Sequence, residues 1–197
     1  MKEAFLNHSL AFIANSKGEL SEDEKEKLSY GLEGLYMTLT KLVIIFLIAL
    51  LLGFLKEFLF TLVMFNIIRF PGFGYHASKS IICLISSTAL ILGLPFLFMH
   101  IEISLIVKVI LCIVSVIVFA ICAPADTAKR PLTNKKKRLI RKICATCIAI
   151  IYSIIIIVFN DLVYSDLLLA ALLIEAIIIS PILYLIFGDT YNNYKKV

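Results

Sequence analysis

His76 and Cys83 are the residues whose types and spacing suggest chemistry. They lie in the stretch from Arg69 to Cys83, which also holds Pro71, Gly72 and Gly74. Proline and glycine end helices and permit tight or left-handed turns. On one straight helix, residues seven apart share a face but sit about 10.5 Å apart along the axis, too far for a direct hydrogen bond. A working pair therefore requires His76 on a turn folded back over a helix that starts near Ser78 or Ser80. With Ser80 as N-cap, Cys83 falls at the third helical position, where the positive helix end favours a thiolate. A neighbouring imidazole favours the thiolate as well and shuttles protons in acyl transfer. Residue types alone leave a second reading open, in which Cys83 packs at the start of a membrane helix and His76 sits at the interface.

The elements that must hold this stretch are membrane elements. Of 197 residues, 61% are hydrophobic and 17% charged, and the mean hydropathy is +1.00. Soluble domains hold about 45–50% apolar and about 25% charged residues. The composition excludes an ordinary soluble domain and a disordered chain. Five cysteines, four of them in apolar runs, are too few for a disulfide scaffold. The start, MKEAF, does not read as a cleavable signal peptide. The expected fold is an all-α integral membrane protein, with residues 1–197 as one membrane domain inserted through internal spans.

A crossing helix needs about 20 apolar residues. Ser80–Ile101, Ile103–Cys122, Ile143–Asn160 and Leu167–Phe187 each provide one span. The apolar run 42–68 is broken by Lys56 and Glu57 and is read as two short spans, about 38–54 and 57–69, turning at Gly53–Glu57. This makes about six transmembrane helices over residues 38–187. Residues 1–37 are expected to form amphipathic interfacial helices. Phe5, Leu6, Leu10, Phe12 and Ile13 share one side of the first, and Ser21-x-x-Glu24 opens the second as a capping box.

Basic residues favour the cytoplasmic side of short loops. The connector 123–142 holds eight of the nineteen basic residues: Lys129, Arg130, Lys135, Lys136, Lys137, Arg138, Arg141 and Lys142. With that connector inside and six spans, both termini are cytoplasmic, and only Lys56 and Lys108 lie outside. The turn at 69–83 then faces the cytoplasm too. Within the spans, Lys108 and Glu175 are expected to form a structural ion pair, because an isolated intramembrane charge is costly.

The stretch Arg69, Gly74-Tyr75-His76-Ala77, Cys83, followed by Ala123-Pro124-Ala125 with a basic run and Pro131, resembles the accessory gene regulator protein B family. These are membrane peptidases that process the precursors of quorum-sensing autoinducing peptides. Phe73 stands where many members have a second glycine. The resemblance implies a thiol protease of the cell membrane, a multi-pass cysteine endopeptidase whose active site faces the cytoplasm. Cys83 would attack a carbonyl near the carboxyl end of a short AgrD-like precursor, with His76 as base and then acid. An internal thiol or hydroxyl would then close a thiolactone or lactone. The resemblance also implies a homodimer. Arg69, Gly74, Asp126, Lys129, Arg130, Lys135, Lys136 and Lys137 are the supporting or substrate-binding candidates, Asp126 as an orienter of the pair.

Neither a cofactor nor a metal is expected. Cys144-x-x-Cys147 lacks further ligands and is read as packing, as are Cys112 and Cys122. The basic connector lacks interleaved aromatics and flanks a membrane, which excludes nucleic acid as the partner. The bilayer itself is a partner. The competing class is a non-enzymatic small membrane protein, a transporter or a membrane-complex subunit.

Overall fold

The long apolar runs form helices wherever they are described, and each backbone group there finds its partner within its own segment, as a bilayer would require. The structure, a computed structural model, describes residues 2–18, 21–74, 85–126, 132–187 and 190–195. Among these there is no strand, only one isolated bridge between Phe73 and Ala125. The chain divides into two compact units, residues 1–51 and 52–197.

The first unit is a pair of helices, α1 (Lys2–Lys17) and α2 (Glu22–Leu51). The expected capping box starts α2. The Glu24 amide donates to Ser21 Oγ (3.3 Å), and the Ser21 amide donates to Glu24 Oε2 (3.1 Å). Glu22, Asp23 and Glu24 occupy the positive first turn. Phe5, Leu6, Leu10 and Ile13 are half-buried on one side of α1, but Phe12 is exposed. The Lys2 ammonium meets Glu33 (2.6 Å) and the Phe5 ring meets Tyr36 (5.3 Å). The interfacial helix and first span that the sequence separates at residue 38 are one continuous helix of 30 residues. Thr38 and Thr40 do not interrupt it, because their hydroxyls donate back to the Gly34 and Tyr36 carbonyls. Ser21→Ala is expected to weaken the start of α2 by about 1 kcal/mol. Faster amide exchange confined to its first turn would show this.

In the second unit the turn falls at residues 52–54, slightly earlier than expected. Gly53 supplies the positive φ (75°), and Lys56 and Glu57 open α3 (Leu55–Gly72). Next come α4 (Ile85–His100), α5 (Leu105–Cys122), α6 (Lys135–Val158), α7 (Val163–Ile179) and α8 (Pro181–Ile186). The expected span 167–187 is thus two helices. Pro181 has no amide hydrogen to continue α7, and the Ser180 hydroxyl closes back on the Ile177 carbonyl (2.8 Å). A π-helical turn, Ala89–Gly93, precedes Pro95 within α4.

α7 is the central element. It is buried along most of its length, with only Val163, Tyr164 and Ile177 exposed, Ala170, Ala171 and Ala176 give neighbours close approach, and α3, α4, α5 and α6 pack around it. Tyr152 on α6 donates to the Met64 carbonyl of α3 (3.0 Å). Among the described residues, three helices, α2, α5 and α6, are long and apolar enough to cross a membrane.

The expected Lys108–Glu175 pair is not formed. The buried Lys108 ammonium lies 2.6 Å from an Asp166 carboxylate oxygen, 2.6 Å from the Asn160 carbonyl and 3.3 Å from Ser165 Oγ. It thereby ties the start of α5 to the α6–α7 turn. Spans starting at 103 and 167 would set the two charges at similar depth, but the helices begin at Leu105 and Val163. Glu175 therefore lies about 13 Å deeper along the bundle than Lys108.

Candidate functional site

His76, Cys83, Lys129 and Arg130 lie outside the described residues, so the site is defined by the frame that leads into it. α3 ends in a tight turn. The Phe73 amide donates to the Arg69 carbonyl (2.9 Å), and Phe73 itself takes φ 62°, ψ −119°. That conformation favours glycine and costs a bulky residue on the order of 1–3 kcal/mol. Phe73 replaces the glycine found in many proteins that its segment resembles, yet it keeps a glycine-like backbone. Arg141 stacks on its ring (4.1 Å) and donates to the Phe70 carbonyl (3.1 Å), which offsets part of that cost.

The Gly74 amide donates to the Ala125 carbonyl (2.9 Å), and the Ala125 amide donates to the Gly72 carbonyl (3.0 Å). The two segments that carry the resemblance, 69–74 and 123–125, are therefore joined by main-chain hydrogen bonds. Gly74 is required by its positive φ as well as by its space, and a side chain at Gly72 would displace the Glu175 carboxylate. A Cβ on Gly74 (φ 109°) would lie 2.5 Å from Ile178 Cγ2, and one on Gly72 would lie 2.8 Å from Glu175 Oε1.

Arg69 donates from Nη1 to Glu175 Oε2 (3.0 Å) and covers the Phe65 ring (5.3 Å). Glu175 is fully buried, and its other oxygen, Oε1, has no hydrogen-bond partner among the described residues. Glu175 thus serves the end of α3, not Lys108. Sequence reasoning placed Arg69 in the site but missed the carboxylate beneath it. The available signal was general: an acid in an apolar helix requires a cation, and nothing in local spacing favours Arg69 over Lys108.

Asp126 is almost completely buried. Its carboxylate accepts from the amides of Leu132 (3.2 Å), Asn193 (3.1 Å) and Tyr194 (2.9 Å), and Arg138 approaches at 3.7 Å. Its carbonyl accepts from the Tyr184 hydroxyl (3.1 Å). These contacts occupy both carboxylate oxygens with main-chain donors and fasten the C-terminal segment to the connector. Burial pushes the Tyr191 phenol up, so it remains a donor, and its hydroxyl binds the Cys122 carbonyl (3.3 Å).

The basic connector divides into two groups. Lys135, Lys136 and Lys137 are exposed at the start of α6, whose N-cap Asn134 accepts from the Lys137 amide (3.0 Å). Arg138, Arg141 and Lys142 turn inward. Arg138 lies over Tyr194 (3.5 Å), and Lys142 reaches the Ile121 carbonyl (3.4 Å). Charge counting treated all eight alike, and the helical spacing of 138, 141 and 142 is what distinguishes them. The cysteines divide too. Cys112 and Cys122 are buried, but Cys144 and Cys147 are exposed on the outer face of α6, so packing does not account for them. No group of three potential metal ligands occurs among the described residues.

Comparison with known proteins adds to this geometry. The profile of the family described as accessory gene regulator B matches residues 7–179. A putative AgrB-like protein of Clostridium acetobutylicum is 30% identical over 169 residues, covering 85% of this chain and 80% of its own. An accessory gene regulator protein B of Staphylococcus carnosus is 32% identical over 142 residues, covering 69% and 73%. That of Staphylococcus saprophyticus is 29% identical over 148 residues, covering 74% and 76%. No solved structure matches the chain. The profile match spans the α3 turn, the basic connector and the central helix, and on that ground the chain belongs to the accessory gene regulator B family.

Proposed function

We propose that this protein is a multi-pass membrane cysteine endopeptidase that trims and cyclises a short signal-peptide precursor. The observation that carries the reading is the main-chain link between Gly72–Gly74 and Ala125. It fixes the point from which the chain runs on to His76 and sets that point beside the basic connector. In this mechanism His76 takes the Cys83 thiol proton as sulfur attacks a carbonyl near the precursor's carboxyl end. The C–N bond then breaks, and the same imidazole protonates the departing amine. The precursor's amino-terminal part remains as a thioester on Cys83. An internal thiol or hydroxyl of the precursor attacks that thioester, closes the ring and returns the thiol to Cys83. Exchange of one thioester for another is nearly isoenergetic, so a thiolactone requires no cofactor. Lys135, Lys136 and Lys137, exposed and unneeded for packing, would hold an acidic tail or anionic headgroups, each contributing about 1 kcal/mol.

The direct test is trapping. Wild-type protein incubated with its precursor is expected to give a hydroxylamine-sensitive adduct on Cys83, with the mass of the precursor less its tail. Cleavage without any such adduct, even after rapid quenching, would count against the thioester route.

In the proposed topology, six spans carry both termini, the α3 turn and the connector on the cytoplasmic side, and two copies form the working unit. A cysteine introduced as Lys136→Cys, with the native cysteines removed, is expected to stay unlabelled by an impermeant reagent applied to intact cells. Labelling before permeabilisation would invert the orientation.

A further inference from the structure

We infer that Glu175 is a positioning residue for the reaction, acting through Arg69 and Gly72 to set where the chain leaves α3 toward His76. The inference rests on the cysteine-peptidase reading and adds to it a residue that sequence reasoning assigned to a different, purely structural pair.

Four observations converge on it. Glu175 is fully buried about one turn from the C-terminal end of α7, the helix around which the second unit packs. One of its oxygens accepts from Arg69, four residues before Phe73. The other has no partner among the described residues and faces Gly72 at a distance that no Cβ could share. Ile178, nearly one turn further along α7, fills the space where Gly74 would carry a side chain. The carboxylate and Ile178 together therefore form the floor under residues 72–74, and the Ala125 bridge forms their side. A pair needed for stability alone could sit anywhere along α7. This one sits under the two glycines that precede His76, and it keeps an unpartnered oxygen against the first of them. Buried polar atoms without partners are rare and costly, and they collect where function requires them.

A small shift of this floor moves the start of the turn. Misplacement of a catalytic group by about 1 Å costs up to about 100-fold. The test reads the activation of Cys83 without any peptide. Iodoacetamide alkylation of each cysteine is followed by mass across a pH series in the full-length protein in detergent, with thermal stability measured in parallel. In wild type, Cys83 is expected to react at lower pH than the exposed Cys144, as a thiolate beside an imidazole does. Glu175→Gln is expected to slow Cys83 at neutral pH by about tenfold or more, and to move its pH profile toward that of Cys144. Because Glu175→Gln takes the carboxylate charge away from the half-buried Arg69, it is paired with Arg69→Met/Glu175→Met, which removes both charges. The double variant is expected to regain thermal stability and to keep the slowed Cys83. Recovery of Cys83 together with stability would reduce Glu175 to a structural role and overturn the inference. A folded Glu175→Gln with the wild-type profile would overturn it as well. A wild-type Cys83 no more reactive than Cys144 would instead remove the peptidase reading, and the inference with it.

Discussion

Replacing Cys83 with alanine is expected to abolish precursor cleavage while leaving the protein folded and able to bind and accumulate the uncut precursor. Cys83→Ser should do nearly as badly, because a serine hydroxyl beside one imidazole is a poor nucleophile at neutral pH. His76→Ala removes both the activation of the thiol and the protonation of the leaving amine, so it should fail too. Each loss is expected to reach about 1,000-fold or more, and the double variant should be hardly worse than either single one, as for groups that act as a unit. Changing Cys112, Cys122, Cys144 or Cys147 to alanine should leave most activity. The measurement is the rate of tail release, with the product verified by mass. Robust cleavage by Cys83→Ala would end the reading and favour a non-enzymatic membrane protein.

The second large effect concerns Asp126. In Asp126→Ala, the amides of Leu132, Asn193 and Tyr194 lose their acceptor and Arg138 loses its nearby carboxylate. A buried donor left unsatisfied costs about 1–3 kcal/mol, so the total is on the order of 3 kcal/mol or more. By the ratio for domains of this size, about 2–4 °C per kcal/mol, the melting temperature in detergent should fall by roughly 6–12 °C. Proteolysis should also reach residues 190–195 sooner than in wild type. Asp126→Asn, which keeps one acceptor oxygen, should fall between the two. A melting temperature within about 2 °C of wild type would mean that the contacts at Asp126 contribute almost nothing.

Much of the fold was legible because it depends on local properties. Apolar length marked the helices, Ser21-x-x-Glu24 marked the start of α2, and the Lys56–Glu57 charges marked the break that Gly53 makes. The helix ends were less legible. Pro181 divides a run that hydropathy reads as continuous, and the π-turn before Pro95 lies unannounced inside another. The pairing of intramembrane charges was not legible, because it depends on where helix ends fall to within a turn. Two wrong starts were enough to match Lys108 with Glu175 in depth, when each charge had a partner elsewhere. At the site, residue types singled out Arg69, Gly74 and Asp126. What they touch came from elements far along the chain: α7 beneath Arg69 and Gly74, and the C-terminal segment over Asp126. Such contacts leave no mark in local spacing.

The bridge from Gly72–Gly74 to Ala125 has a consequence for the order of events during synthesis. The α3 turn is made early, but its side arrives with residue 125, its floor with residues 175 and 178, and the clasp on Asp126 with residues 193 and 194. A ribosome-bound chain that has released only its first half holds the α3 turn without the frame that fixes it. The framed turn is therefore completed late in translation, and under the proposed peptidase reading a truncated product would be silent.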